Sequence, residues 1–249
     1  MGVLGPTRSV NDGRMALPLA VGLALLAIPA PRRFEQARRI EHRLDDTARL
    51  KPVGLEIRAV PYRGRTAVHV VTPPHSKEGA VVLVPGTDML NGTIEADVAG
   101  RPMAGAPPDA RGFIGLAFRA VDDSTYDSFY IRPTNGRAHD QVRRNHSTQY
   151  IAAPSFLFDR LREEGPGAYE SYVDLVAGEW THLRIDVSDS MAALYVNRAE
   201  QPCLIVNRLK GRHAPGLVGL WIGDQTDGYF SRLSVTARSV SSTLMADSC

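Results

Sequence analysis

The sequence predicts an all-β protein: a two-sheet antiparallel jelly-roll sandwich with a short helical insertion. From Leu55 onward, short runs alternate apolar and polar residues with a period of two, as half-buried strands do. Turn-forming segments separate these runs, and the chain has 22 glycines and 17 prolines to build them. The insertion is expected after Ala153, where PSFLFDRLREEGPG places aromatic residues ahead of a charged RLREE run.

Two segments precede the predicted sheet domain. Residues 15–30, MALPLAVGLALLAIPA, are almost wholly apolar but too short for a comfortable membrane span, and they match the apolar region of a signal peptide. We therefore expect residues 1–31 to be an export signal or N-terminal tail, on a secreted or periplasmic protein without a stable membrane span. An uncleaved anchor and a start at Met15 are the alternatives. Residues 32–54 form a charged lead-in, expected to be a solvated helix or linker.

Charge and cysteine content exclude some classes of protein. The 29 basic and 27 acidic residues leave a net charge of +2, too even to indicate a nucleic-acid partner. The two cysteines, Cys203 and Cys249, are too few for a disulfide framework or a cysteine metal cage. Cys203 is expected to be a small buried residue. A bridge to Cys249 stays open as an alternative.

The period of two assigns a face to each strand of the domain at residues 55–237; residues 238–249 are a polar C-terminal tail. Side chains two residues apart on a strand share a face, so the apolar set marks the buried side. The residues predicted inside the sandwich are Ile94, Leu116, Phe118, Phe129, Ile131, Leu183, Ile185, Leu194 and Val235. Glu95 with Asp97, and Tyr126 with Tyr130 and Arg132, then lie on outer faces.

Several runs also resemble a known group of proteins: GTIEADV, FIGLAFR, YDSFYIRP, NHSTQYI, GEWTHLRIDV, ALYVN and GLVGLWIG. Together they resemble the concanavalin A-like jelly-roll superfamily, and within it the bacterial 3-keto-disaccharide hydrolase domain family, over roughly residues 55–237. The resemblance implies a carbohydrate ligand, but the superfamily includes glycosidases, lyases and lectins. Laminarinase-type members carry E-x-D-x-x-E on one strand. Here Glu95 and Asp97 are followed by Val98, Ala99 and Gly100, so that mechanism does not carry over.

Three residues are candidate catalytic groups: Glu95, Arg132 and His146. Jelly-roll lyases neutralise a substrate carboxylate with Arg or Gln, while His or Tyr takes the proton. We expect Arg132 and His146 to face a common cavity on the concave sheet, lined by Tyr130 and Gln149, with Glu95 at its floor or rim. A neighbouring guanidinium would lower the pKa of His146 and favour its neutral form.

The stretch from Phe129 to Tyr150 is rich in polar and aromatic side chains, and such side chains in and near it are candidates for substrate binding. Sugar rings stack on aromatic side chains, and arginine forks pair with hydroxyl or carboxylate oxygens. The candidates are Arg119, Tyr126, Tyr130, Gln141, Arg144, Gln149 and Tyr150.

No cofactor or catalytic metal is expected. A structural calcium ion would find oxygen ligands in the turns at Asp122-Asp123 or Asp224-Asp227, although turn chemistry explains these residues equally well.

Two functions from different classes follow from these features. The first is a secreted or periplasmic enzyme that cleaves a glycosidic or 3-keto-sugar linkage. The alternative is a non-catalytic, lectin-like module that binds glycans. Convergence of Glu95, Arg132 and His146 in one pocket would favour the enzyme, whereas a flat aromatic face would favour the binding module.

Overall fold

The computed structural model describes residues 1–3, 5, 37–71 and 79–238. The predicted export segment at residues 15–30, and the C-terminal tail from residue 239, lie outside these described residues. The chain divides into two units, Met1–Phe34 and Glu35–Cys249, and the strands and helices reported below belong to the second. Within the described ranges, no helix is long and apolar enough to cross a membrane.

The strands pair into two antiparallel sheets. In chain order they are β1 (Arg38–His42), β2 (Lys51–Pro52), β3 (Glu56–Tyr62), β4 (Arg65–Val71), β5 (Ala80–Met89), β6 (Asn91–Pro102), β7 (Ile114–Ala120), β8 (Tyr126–Ile131), β9 (Thr148–Ala153), β10 (Glu170–Ser171), β11 (Thr181–Ser188), β12 (Met191–Val196), β13 (Leu204–Val206), β14 (Gly216–Ile222) and β15 (Thr226–Arg238). Sheet A has the order β13-β12-β11-β6-β15-β4-β3, with β1 also paired to β15. Sheet B has the order β10-β9-β8-β7-β14-β5-β2.

Helical structure is limited to short segments. The helices are α1 (Gln141–Asn145) and α2 (Phe158–Glu164), and 3-10 turns lie at Thr47–Arg49 and Pro133–Asn135. Helix α2 occupies the predicted insertion and packs against β9. The predicted two-sheet antiparallel sandwich with a short helical insertion is therefore confirmed.

The core lies between the sheets and contains every residue predicted for it. Each of the nine is at most 4% exposed: Ile94, Leu116, Phe118, Phe129, Ile131, Leu183, Ile185, Leu194 and Val235. The prediction succeeds because a strand with one buried face has a single possible register. A shift by one residue would turn all of its apolar side chains outward.

The charged lead-in contains a strand where a helix or linker was expected. Residues Arg38–His42 form β1, with Ile40 opposite Val235 on β15. Farther along the lead-in, Leu44 and Leu50 are buried in the core. The weak helical spacing of the segment is overridden because the edge of β15 offers backbone partners that an isolated short helix lacks.

Candidate functional site

A cavity of about 360 Å³ opens on the outer face of sheet B, and we call it the Arg132 cavity. Strands β7, β8, β9 and β14 form its floor, and the helical insertion forms one wall. Its lining residues are Gly79, Asp109, Arg111, Phe113, Tyr130, Arg132, Asn135, His146, Ile151, Leu157, Phe158, Arg162, Trp221, Gly223 and Asp224.

Two aromatic rings form the buried end of the cavity. Tyr130 on β8 and Trp221 on β14 stack with their centroids 4.3 Å apart, and each is only 3% exposed. The strand between them, β7, places Gly115 opposite both residues. Because Gly115 has no side chain, the two rings meet across the strand that separates their backbones. A rigid apolar surface results.

Arg132 follows the last residue of β8 and is 5% exposed. Its guanidinium donates to the His146 carbonyl at 2.9 Å, Glu170 Oε1 at 3.1 Å, the Tyr130 hydroxyl at 3.1 Å and Gln149 Oε1 at 3.0 Å. These contacts satisfy most of its donors, as burial of a guanidinium requires. Arg132 therefore holds the cavity wall together and presents little free surface to a ligand.

Glu170 is the central residue that the sequence interpretation missed. It lies on β10 opposite Gln149, and its side chain is 3% exposed. Arg162 donates to both of its carboxylate oxygens, and Arg132 donates to one of them. Burial alone would raise the pKa of Glu170, but the hydrogen bond from Arg162 and the charges of both arginines outweigh burial and lower it. Glu170 is held ionised, with both oxygens engaged.

His146 lies at the mouth of the cavity, with a side chain 29% exposed. Its Nε2 is 3.5 Å from Glu170 Oε2. Burial lowers the pKa of His146 most, and the charges of Arg162 and Arg132 lower it further against the opposing charge of Glu170. The imidazole is thus biased toward its neutral form, as expected. His146 caps the C-terminus of α1, however, and does not begin a strand, because β9 starts at Thr148.

The accessible part of the cavity offers both rings and polar groups. The Phe158 side chain is among the exposed apolar groups at 45% exposure, and Phe113 is partly buried nearby. Asp109 lines the cavity with an exposed carboxylate, whereas Asp224 Oδ1 is buried and has no hydrogen-bond partner among the described residues. Arg111 adds a third guanidinium to those of Arg132 and Arg162, and its pKa is lowered by burial and by the charges of Arg143 and Arg132. Ring, donor and acceptor groups therefore face one space.

The predicted meeting of Arg132 and His146 in one cavity matches the structure, with Tyr130 in its lining and Gln149 in its supporting network. The predicted placement of Glu95 at its floor or rim is wrong. Glu95 lies on the outer face of β6 in sheet A, where its Oε2 atom is 2.8 Å from Arg39 Nη1. Alternation gives the face of a strand, but which sheet contains that strand depends on tertiary pairing.

Arg119 and Tyr126, two of the predicted binding residues, line a separate hollow of about 240 Å³. Arg119 donates to the carbonyls of Leu90 and Asp189, which makes it part of the loop architecture. The Tyr126 hydroxyl accepts a hydrogen bond from Trp221 Nε1 at 3.1 Å. Neither residue reaches the Arg132 cavity lining.

The remaining predicted binding residues face elsewhere. Tyr150 is fully buried on the core face of β9, where its hydroxyl hydrogen-bonds to Asp127; burial raises the pKa of Asp127 to about 6. Gln141 bonds to Asn145 along α1, and Arg144 donates to the Tyr172 hydroxyl at 2.7 Å. The polar composition of this stretch marked the region of the site, but it did not distinguish supporting residues from lining ones.

The turns considered for calcium are occupied by protein contacts. Asp122 Oδ1 accepts hydrogen bonds from the backbone of Ser124 and Thr125, and Asp227 pairs with His69 and Arg101. Among the described residues, no group of three or more His, Cys, Asp or Glu side chains is arranged to hold a metal ion. A structural calcium ion remains a prediction without a defined ligand set.

No family model and no curated protein matches this chain. Among solved structures, it is similar to the carbohydrate-binding module CBM66 from Bacillus subtilis, at 12% identity and a TM-score of 0.47, covering 75% of this chain and 97% of that one. The chain is also similar to a Bacillus subtilis protein of unknown function with a galectin-like fold, at 12% identity and a TM-score of 0.47. The match covers 76% of this chain and 90% of that one.

The exoplasmic/lumenal domain of VIP36, bound to Ca²⁺ and Man3GlcNAc, gives 10% identity and a TM-score of 0.47, covering 82% of this chain and 93% of that one. Because these TM-scores lie below 0.5, the fold assignment stands on the two sheets described above. The finer resemblance to the 3-keto-disaccharide hydrolase domain family stays a prediction.

Proposed function

We propose that this chain binds a carbohydrate in the Arg132 cavity. One observation carries the proposal: the cavity combines aromatic rings, N–H donors and an exposed carboxylate around one half-open space. A sugar presents apolar C–H faces and hydroxyl groups together, so its recognition needs rings and hydrogen-bonding groups at close quarters.

Each class of group has a role in such binding. Phe158 and Phe113 offer rings at the mouth, where a sugar face can stack. The exposed carboxylate of Asp109, which lines the cavity, can accept a hydrogen bond from a sugar hydroxyl. Arg111, Arg162 and His146 can donate to ring or hydroxyl oxygens. The Arg132–Glu170 network fixes the wall against which these groups are placed.

Calorimetric titration with a panel of neutral and acidic monosaccharides and disaccharides, including 3-keto-glycosides, tests the proposal. We expect one sugar class to bind, and Phe158→Ala to weaken its binding at least tenfold. Ile205→Ala is the matched control, since Ile205 is a similarly exposed apolar residue on sheet A, 48% exposed and outside the cavity. Equal weakening by both variants, or no binding to any sugar, would contradict the proposal.

Cleavage of a glycosidic or 3-keto-sugar linkage is the second candidate, and the position of His146 favours it. Glu170 is unsuited to acid–base catalysis, because two arginines occupy its oxygens. His146 is partly exposed and biased toward the neutral form, so it can accept a proton from the carbon beside a keto group. Arg111 and Arg162 line the same cavity and would stabilise the enolate that forms. Collapse of the enolate would then expel the glycosidic oxygen from the β carbon, and this oxygen would take up a proton from water. Mass spectrometry of 3-keto-glycosides incubated with the protein would detect the product.

The cellular location belongs to the same proposal. The apolar stretch at residues 15–30 supports export, which would place the sandwich in a secreted or periplasmic compartment where glycans are available.

A further inference from the structure

A second cavity, of about 410 Å³, lies on the outer face of sheet A. Because the Arg132 cavity is on the outer face of sheet B, the two lie on opposite sides of the sandwich. We call the second one the His182 cavity. Its lining residues are Arg39, Glu41, His42, Arg43, Glu95, Asp97, His182, Arg198, Arg232 and Leu233.

At its centre, a buried carboxylate orients a histidine. Asp97 has a side chain 3% exposed, and His182 Nδ1 is 2.9 Å from its Oδ1. Arg65 pairs with the other oxygen at 2.6 Å. Burial raises the pKa of Asp97, but the hydrogen bond from His182 and the charge of Arg65 outweigh burial and lower it. An ionised Asp97 accepts a hydrogen bond from His182 Nδ1–H, which orients the ring and places Nε2 next to Glu95.

A second carboxylate stands next to Nε2. Glu95 Oε1 is 4.0 Å from Nε2, while the other oxygen of Glu95 is held by Arg39 at 2.8 Å and by the Ser234 hydroxyl at 3.3 Å. The centre of the cavity therefore presents an imidazole nitrogen and a carboxylate oxygen side by side. Hydroxyl groups of a ligand fit this pair, because a hydroxyl can donate to the carboxylate and can either donate to or accept from the imidazole nitrogen.

The rim carries two arginines in strained backbone positions. Arg198 has φ 59° and Arg232 has φ 55°, in the left-handed region that glycine and asparagine occupy more readily. Arg232 sits at a bulge in β15, between Ser231 and Ser234, where the register with β6 shifts.

The two arginines line the same cavity as the histidine. Asn197, next to Arg198, exchanges two hydrogen bonds with the backbone of His182, at 2.8 Å and 3.2 Å. Arg232 Nη1 lies 3.8 Å from Asp97 Oδ2, too far for a hydrogen bond, and its side chain is 63% exposed. The Arg232 guanidinium is thus accessible to a ligand anion.

We propose that the His182 cavity is a binding site for a hydroxylated carboxylate, with Arg198 and Arg232 on the carboxylate and with His182 Nε2 and Glu95 Oε1 on adjacent hydroxyls. Uronic acids are the sugar form of this chemistry. The site is independent of the Arg132 cavity, so either can fail without the other.

The test titrates the full chain with D-glucuronate, with D-glucose as the uncharged comparator and acetate as the anion without hydroxyls. Binding is followed by calorimetry and by the NMR signal of His182 Hε1. We expect glucuronate to bind and shift that signal, and glucose and acetate to bind at least tenfold more weakly. Arg198→Gly and Arg232→Gly should each raise the Kd at least tenfold while keeping or raising the unfolding midpoint, since glycine suits a positive φ.

Arg63→Gly is the matched control. Arg63 also has a positive φ, 43°, but it pairs with Glu179 outside the cavity. It should leave glucuronate affinity unchanged. The proposal is overturned if glucuronate does not bind, if acetate binds equally well, or if the Arg63 variant weakens binding as much as the rim variants do. Loss of glucuronate binding in Phe158→Ala would place the ligand in the Arg132 cavity and overturn the proposal too.

Discussion

Tyr130 and Trp221 stack across a strand that contributes no side chain between them. Gly115 makes this possible: a Cβ built there would lie 2.2 Å from the Phe129 carbonyl oxygen and 2.5 Å from the Tyr130 Cα. These neighbours are backbone atoms of a central strand pair, so they cannot move aside as a flexible side chain would. The rings at the end of the Arg132 cavity depend on this glycine.

Gly115→Ala should therefore destabilise the fold by about 3 kcal/mol, since overpacking against backbone forces β7 and β8 apart. Urea unfolding measures the change. Gly165→Ala serves as the control, because its Cβ would meet only side-chain atoms at 3.3 Å or more. A Gly115 variant as stable as this control would show that the sheet is more deformable than the contacts indicate.

Glu170→Gln should lower stability at neutral pH by about 3 kcal/mol, because it leaves Arg132 and Arg162 without their shared counter-charge. Chemical denaturation at pH 7 tests this. Glu163→Gln, on the exposed side of α2, should change stability little. Equal stability of the two variants would mean that water replaces the carboxylate at no cost.

The same residue should dominate the acid side of the stability profile. The folded-state pKa of Glu170 is lowered, so its contribution is complete above the unfolded value of 4.5 and is lost as pH falls through the folded value. The wild-type chain should lose stability more steeply than Glu170→Gln below about pH 4.5. Parallel unfolding curves for the two chains across that range would refute the assignment.

His146→Ala should leave the melting temperature nearly unchanged, because the side chain is partly exposed and its nearest charged contact is 3.5 Å away. If the chain cleaves a keto-sugar, the variant should abolish turnover. Wild-type activity should persist below pH 6.5, since the pKa of His146 is lowered. Thermal unfolding and product formation are measured together. A large drop in melting temperature with normal sugar binding would instead make His146 a packing residue.

N-terminal sequencing tests the export hypothesis. Protein recovered from its native host should begin near Arg32, because the apolar stretch at residues 15–30 resembles a signal that is removed during secretion. Recovery of a cytosolic product that retains Met1 would contradict it.

The sequence by itself determined which side of each long strand is buried. Ile94, Leu116 and Leu183 are in the core because a period of two leaves only one apolar face per strand. The same local pattern marked the Phe129–Tyr150 stretch as the region of a site, since polar and aromatic side chains concentrate there. These features are properties of neighbouring residues, so they can be read without the fold.

Tertiary structure decided which of these faces meet. Glu95 and Arg132 are both on outer faces, yet β6 and β8 belong to different sheets, which puts the residues on opposite sides of the sandwich. Glu170 reaches the Arg132 and Arg162 side chains behind the cavity wall only because its two-residue strand pairs with β9, and Arg38–His42 is a strand only because β15 offers an edge. Pairing between segments far apart in sequence depends on how the whole chain packs, and no local period encodes it.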